Sequence, residues 1–278
     1  MENIGIIVEG DKKQAFTSLL LELQVIVEDT IGLVLKRHAN NLLTTSSWVA
    51  IIILKRLIES TKAAQLLVAH GFERDASVLL TNHIELRLDI QYIAKDHIRA
   101  KTWLDHANSQ SKPWKVRFLF EQLYEQEELK SEKEMYMRFS MVKHGNPVAE
   151  TFGFPLAIKD GHLHVSSQED ILLGKFSLYT FAFFKELFKA YKAAITEFKR
   201  SNHDLGEQDK KADFINLAMD DLNEKSFYEQ VQLLLKISPK PDLCNSCKAF
   251  PENAIEVTCL LHRIRQADNF TCERYVSI

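Results

Sequence analysis

The chain has 278 residues, of which 46% are hydrophobic and 26% charged, a globular balance that excludes global disorder. Nine glycines and six prolines are too few to punctuate many short strands, so long helices are expected. The formal charge of -3 excludes a general attraction to nucleic acid, and RNA binding therefore needs a local group of cations.

Met1 to Gly10 carries two acids and no basic start, unlike a secretory leader. The longest apolar stretches, Trp48 to Leu54 and Ser177 to Phe184, are too short to span a bilayer. The expectation is a cytoplasmic protein that makes no membrane contact.

From Asp11 to Ala39 apolar residues recur at helical spacing: Phe16, Leu19, Leu20, Leu23, Val27, Ile31, Val34 and Leu35. The polar run Asn40 to Ser47 reads as a turn. A second helix, Trp48 to His70, stops at Gly71, a residue suited to a helix C-terminus. A third, Phe72 to Asp96, presents Ala76, Leu79, Leu80, Leu86, Ile90 and Ile93 as its buried stripe. Asn82, Glu85, Asp89 and Tyr92 lie three or four apart on that helix and read as its solvated face; His83 and Arg87 read as surface or interface residues. If the stripe instead faces a groove, Glu85 is placed to orient an imidazole there.

Pro113 interrupts the pattern between His97 and Lys115. A helix is expected from Val116 to Lys130, then a short one ending at His144, where Gly145-Asn146-Pro147 stops it. Two short alternating runs around Asp160-Gly161 predict a β-hairpin near 155–165. An aromatic-rich helix, Gln168 to Lys199, follows, its aromatics spaced for core or dimer packing. A charged break at Arg200 to Lys211 precedes a helix from Ala212 to Lys236. Pro239 and Pro241 then mark a boundary, dividing the chain into a helical domain, 1–236, and a small C-terminal module, 237–278.

Arg138 and His144 carry the sharpest chemical signal. Six helical steps separate them by roughly 9 Å of rise and about 120°, so they flank one edge of a groove. Histidine exchanges protons near neutral pH, and arginine presents a permanently charged fork to phosphate. Metal-independent RNA cleavage uses these two roles, a proton carrier and a stabiliser of the pentavalent phosphate. Ser140 and Asn146 are placed to orient the phosphate or the imidazole. A Gly-rich phosphate loop, a serine-nucleophile elbow and a His-Glu-x-x-His motif are all absent from the sequence.

Arg-x5-His at a helix end resembles the Arg-x4–6-His motif of HEPN domains. The segment from Gly71 to Tyr92 is similar to the long helix of an uncharacterised bacterial HEPN-like group, as is a hairpin after the His-Gly step. The likeness covers roughly residues 15–200. It implies a mainly α, multi-helix HEPN-like bundle with a small β-hairpin, and a homodimer whose two motifs meet to form a ribonuclease site. It implies a toxin or phage-defence effector acting on RNA with no cofactor for catalysis, or else a non-catalytic module that binds an antitoxin or another defence-system protein. The pattern departs at Phe139, where many active members carry a polar residue.

All four cysteines lie in the last 35 residues. Cys244, Cys247, Cys259 and Cys272 supply four thiolates, the number that a tetrahedral structural zinc site takes, with His262 as an alternative fourth ligand. Such a site would fold a Cys-rich tail that has little core of its own.

Overall fold

The computed structural model describes residues 4–37, 43–106, 112–143, 156–159, 162–165, 168–201 and 203–237. The backbone alone is described at 4–12, 73, 134, 138, 141–142, the strand residues, 168–178 and 225–237. The described residues are mainly helical. In chain order they form α1 (Ile4–Arg37), α2 (Thr45–Ala69), α3 (Glu73–Lys95), α4 (Arg99–Asp105), α5 (Val116–Leu123) and α6 (Gln126–Lys143). Two strands follow, β1 (Leu156–Lys159) and β2 (His162–Val165), then α7 (Gln168–Arg200) and α8 (Gly206–Ile237). The strands pair antiparallel, with Leu156 opposite Val165 and Lys159 opposite His162. Asp160 and Gly161 lie outside the described residues, as does the chain beyond Ile237 with its cysteines and His262.

Local chemistry explains where the helices start and stop. Thr44, in extended conformation, accepts a hydrogen bond from the Ser47 N–H at 3.2 Å and so caps α2. At the other end Gly71 takes a positive φ of 81°. Phe72 N–H then reaches Leu67 O at 2.8 Å and Gly71 N–H reaches Val68 O at 3.2 Å, the paired bonds of a Schellman stop.

Several boundaries differ from the sequence expectation, among them the start of α2 at Thr45 instead of Trp48 and the length of α6, 18 residues where a short helix is expected. The helix expected at Val116–Lys130 is broken at Tyr124, which is extended (φ -123°, ψ 144°) and sends its hydroxyl to Gln91 at 3.1 Å. A tertiary contact therefore overrides local propensity. The charged run Arg200 to Lys211 is not a break throughout, because α8 already begins at Gly206. Its charges pair with α7, as where Lys199 meets Asp209 at 2.5 Å. The first helix also begins at Ile4 instead of Asp11.

The main core joins α1, α2, α7 and α8. Phe16, Leu20, Leu23, Val27 and Val34 of α1 are fully buried, as are Phe184, Leu187, Tyr191 and Phe198 of α7. Each such side chain contributes about 1.5–3 kcal/mol of hydrophobic stabilisation. The α7 aromatics thus serve as core. A buried hydrogen bond of 3.1 Å between Thr30 and Tyr191 ties α1 to α7.

α3 is the central element, packed on α2, α5, α6 and α7. Ala76 and Leu80 face α2 and α7, while Ile84 and Leu88 face α5 and α6. A helix enclosed in this way has no broad solvated face. Glu85 and Tyr92 are buried, and His83 and Arg87 have no exposed surface, so the readings of a solvated stripe and of surface residues are corrected. No helix among the described residues is long and apolar enough to cross a membrane.

Candidate functional site

A buried carboxylate needs partners, and α6 supplies those of Glu85. Tyr136, Ser140 and Lys143 are spaced four and three apart and occupy one face of α6, turned towards α3. The Tyr136 hydroxyl donates to Glu85 Oε1 at 2.9 Å. Lys143 Nζ lies 3.4 Å from the same oxygen and donates to Asn82 Oδ1 at 3.2 Å. Lys112, from the segment before α5, pairs with Glu85 Oε2. Ser140 hydrogen-bonds the Tyr136 phenol, whose pKa burial nonetheless holds above its ordinary value.

Exposure changes steeply across this cluster. The Glu85 side chain is 9% exposed, Lys143 30% and Lys112 55%. A carboxylate sits at the base, and two ammonium groups stand between it and solvent. Burial lowers the pKa of Lys112, and repulsion from Lys143 lowers it further.

Of the residues singled out by sequence, Asn82, Glu85 and Ser140 enter this cluster. Arg138 lies on α6 with only its backbone described, while His144 and Asn146 lie outside the described residues. α6 is described as far as Lys143, the residue before His144. Phe139 packs its ring 6.0 Å from that of Tyr179, so the residue after Arg138 anchors α6 on α7. Sequence reasoning missed Tyr136, Lys143 and Lys112. The spacing of Tyr136, Ser140 and Lys143 is a usable signal; Lys112 has none, since it sits in an irregular polar stretch.

Two positions along α3, Arg87 organises a second cluster. Its guanidinium donates to Glu186 of α7 and Glu132 of α6, each at 2.7 Å, and to Gln91 at 3.0 Å. The Tyr124 hydroxyl also contacts it, and Lys189 completes the group by pairing with Glu132 at 2.5 Å. Burial pulls the Arg87 pKa down, but Glu186, Tyr124 and Glu132 outweigh it and leave the group above its ordinary value. Burial pushes Glu132 up, yet Arg87 and Lys189 hold it below the ordinary carboxylate value. Two cations face two carboxylates, so the network is electrically balanced. It locks α3, α6 and α7 together.

His83 and Asp89 are two further polar groups of α3. Ser60 Oγ lies 2.8 Å from His83 Nε2, a contact that resembles a nucleophile–base pair. Acyl transfer needs a reachable hydroxyl and a group to orient the imidazole. His83 has no exposed surface, its Nδ1 has no hydrogen-bond partner, and its ring packs edge-on to Phe183 at 4.8 Å. Burial, with repulsion from Arg56, lowers its pKa to about 3, so it is a neutral packing group. Asp89 accepts from Trp103 Nε1 at 3.0 Å; burial raises it to about 6, against the opposing effects of Trp103 and His106.

Among the described residues no group of three or more histidine, cysteine or acidic side chains is arranged to hold a metal ion. What the Glu85 cluster offers chemically is positive charge at a surface, backed by a fixed carboxylate and next in sequence to His144. No family model matches the chain, and neither a curated protein nor a solved structure is significantly similar to it.

Proposed function

We propose that this chain is a HEPN-like endoribonuclease that cuts RNA without a metal, through Arg138 and His144. His144 takes the proton of a ribose 2′-hydroxyl, which attacks the adjacent phosphorus. Arg138 stabilises the charge that develops on the phosphoryl oxygens, and the bond to the 5′-oxygen of the next nucleotide breaks as that oxygen takes back the proton held by His144, leaving a 2′,3′-cyclic phosphate. Asn146 and Ser140 orient these groups. A homodimer that brings two motifs together, the Asp160-Gly161 hairpin and a tail held by zinc on Cys244, Cys247, Cys259 and Cys272 (or His262) belong to the same proposal.

The observation that carries the reading is the anchoring of α6 by Glu85. The carboxylate named from sequence as a partner for the imidazole is buried against α6 and contacts Lys143, the residue before His144. A helix fixed one residue from its proposed proton carrier suits a reaction whose rate depends on placement.

The test is incubation of purified protein with single-stranded RNA in EDTA. Wild type is expected to cut, with His144→Ala and Arg138→Ala each at least about a hundredfold slower, the scale of a lost acid–base or oxyanion group. Unchanged cutting by His144→Ala would sink the assignment. Phe139 favours a second reading, a non-catalytic module of a toxin–antitoxin or defence pair, because its ring is spent on packing against Tyr179. That reading expects no cutting by the wild type.

A further inference from the structure

We propose that Lys112 and Lys143 form a phosphate-binding subsite for single-stranded RNA, at the surface beside the end of α6. The identity of the ligand rests on the ribonuclease reading; the subsite itself rests on charge and geometry. Two ammonium groups converge on one carboxylate, so the cluster carries one more positive than negative formal charge. Glu85 is held at the base by the Tyr136 hydroxyl as well.

Donor accounting points the same way. Each ammonium has three N–H donors. Lys143 directs two of them to Asn82 and Glu85, and Lys112 directs one to Glu85. The remaining donors belong to side chains 30% and 55% exposed, open to an arriving anion. A phosphodiester brings one negative charge and two unshared oxygens, which restores the charge balance and occupies those donors. A chain with a formal charge of -3 needs such a local site if it is to hold RNA at all.

The experiment measures binding of a fluorescein-labelled 2′-O-methyl RNA strand, which keeps the phosphates and blocks 2′-hydroxyl attack. Fluorescence anisotropy is followed across a salt series. Each lost phosphate contact lowers the slope of log affinity against log salt by about 0.7, so Lys112→Gln with Lys143→Gln lowers it by about 1.4 and weakens binding roughly 25-fold at 0.1 M salt. Lys112→Arg with Lys143→Arg is expected to retain binding. A double variant that keeps wild-type affinity and slope overturns the subsite, as does a wild type that does not bind the strand. Should the double variant fail to fold, Lys112→Gln alone, at a half-exposed side chain, carries the test with half the slope change.

Parallel incubation with ordinary RNA separates the two readings. Lysine-dependent binding by a protein that leaves RNA uncut keeps the subsite and removes the nuclease. Cutting that continues while binding ignores both lysines keeps the nuclease and removes the subsite.

Discussion

Glu85 and Arg87 stand two positions apart on α3, which leaves their side chains about 160° apart around the helix axis. Around Arg87 the charges balance: the guanidinium is fully buried, two carboxylates meet two cations, of which Lys189 reaches solvent, and three helices are joined. Around Glu85 the cluster is open: a single buried carboxylate meets two cations, one of them half in solvent. A balanced network around a buried guanidinium holds a fold together, whereas an unbalanced, more exposed one is available to a ligand. α3 uses one face for each purpose, and α6 takes part in both. Its first half is fastened by Glu132 to Arg87, and its end rests on Glu85.

The largest effect that sharpens this contrast comes from Arg87→Met. It strands Glu186 in the interior and is expected to cost about 3–5 kcal/mol of unfolding free energy, the penalty for breaking a buried ion pair from one side. Urea denaturation measures it. A loss under 1 kcal/mol would place the network among exposed pairs and erase the contrast.

His83 comes next, and its sign follows from its lowered pKa of about 3. Below pH 6.5 the unfolded chain binds a proton that the folded imidazole refuses, so stability is complete above 6.5 and falls towards pH 3. The slope is about 1.4 kcal/mol per pH unit. Asp89, raised to about 6, acts in the opposite sense, since the folded state keeps a proton that the unfolded state releases. The two oppose each other between about pH 4 and 6, so the measurement is the stability difference between wild type and His83→Asn from pH 4 to 7. That difference is expected to shrink as pH falls; a flat one contradicts a buried neutral imidazole.

The smallest effect belongs to the open cluster. Lys112→Gln is expected to change unfolding free energy by no more than about 1 kcal/mol, as for a solvent-screened pair, since Tyr136 and Lys143 still hold Glu85. A collapse of stability there would make the lysine structural, in the manner of Arg87.

The helix ends that depend on local chemistry are legible in sequence. Gly71 reads as a stop because a left-handed residue closes α2, and the aromatics of α7 read as core from their spacing. The burial of α3 is not legible. Asn82, Glu85, Asp89 and Tyr92 recur at the spacing of a solvated face, and only distant partners decide otherwise. Arg87 meets Glu132 and Glu186 across 45 and 99 residues, pairings that no local pattern encodes. The same holds for the break at Tyr124, which looks helical until its hydroxyl is drawn to Gln91. At the candidate site, Arg138 and His144 stand out by residue type and spacing, and the structure adds what surrounds the end of α6. Lys112 reaches Glu85 from a stretch with neither period nor motif, and so becomes visible only in three dimensions.

The central claim is that Arg138 and His144 cut RNA through its own 2′-hydroxyl. The most direct measurement compares an RNA strand with an all-deoxy strand of the same sequence, both with wild-type protein in EDTA, and reads the product ends by mass. The account predicts that only the RNA is cut, that the 5′ fragment ends in a 2′,3′-cyclic phosphate, and that His144→Ala abolishes the product. Cutting of the deoxy strand, or fragments that begin with a 5′-phosphate, would contradict it.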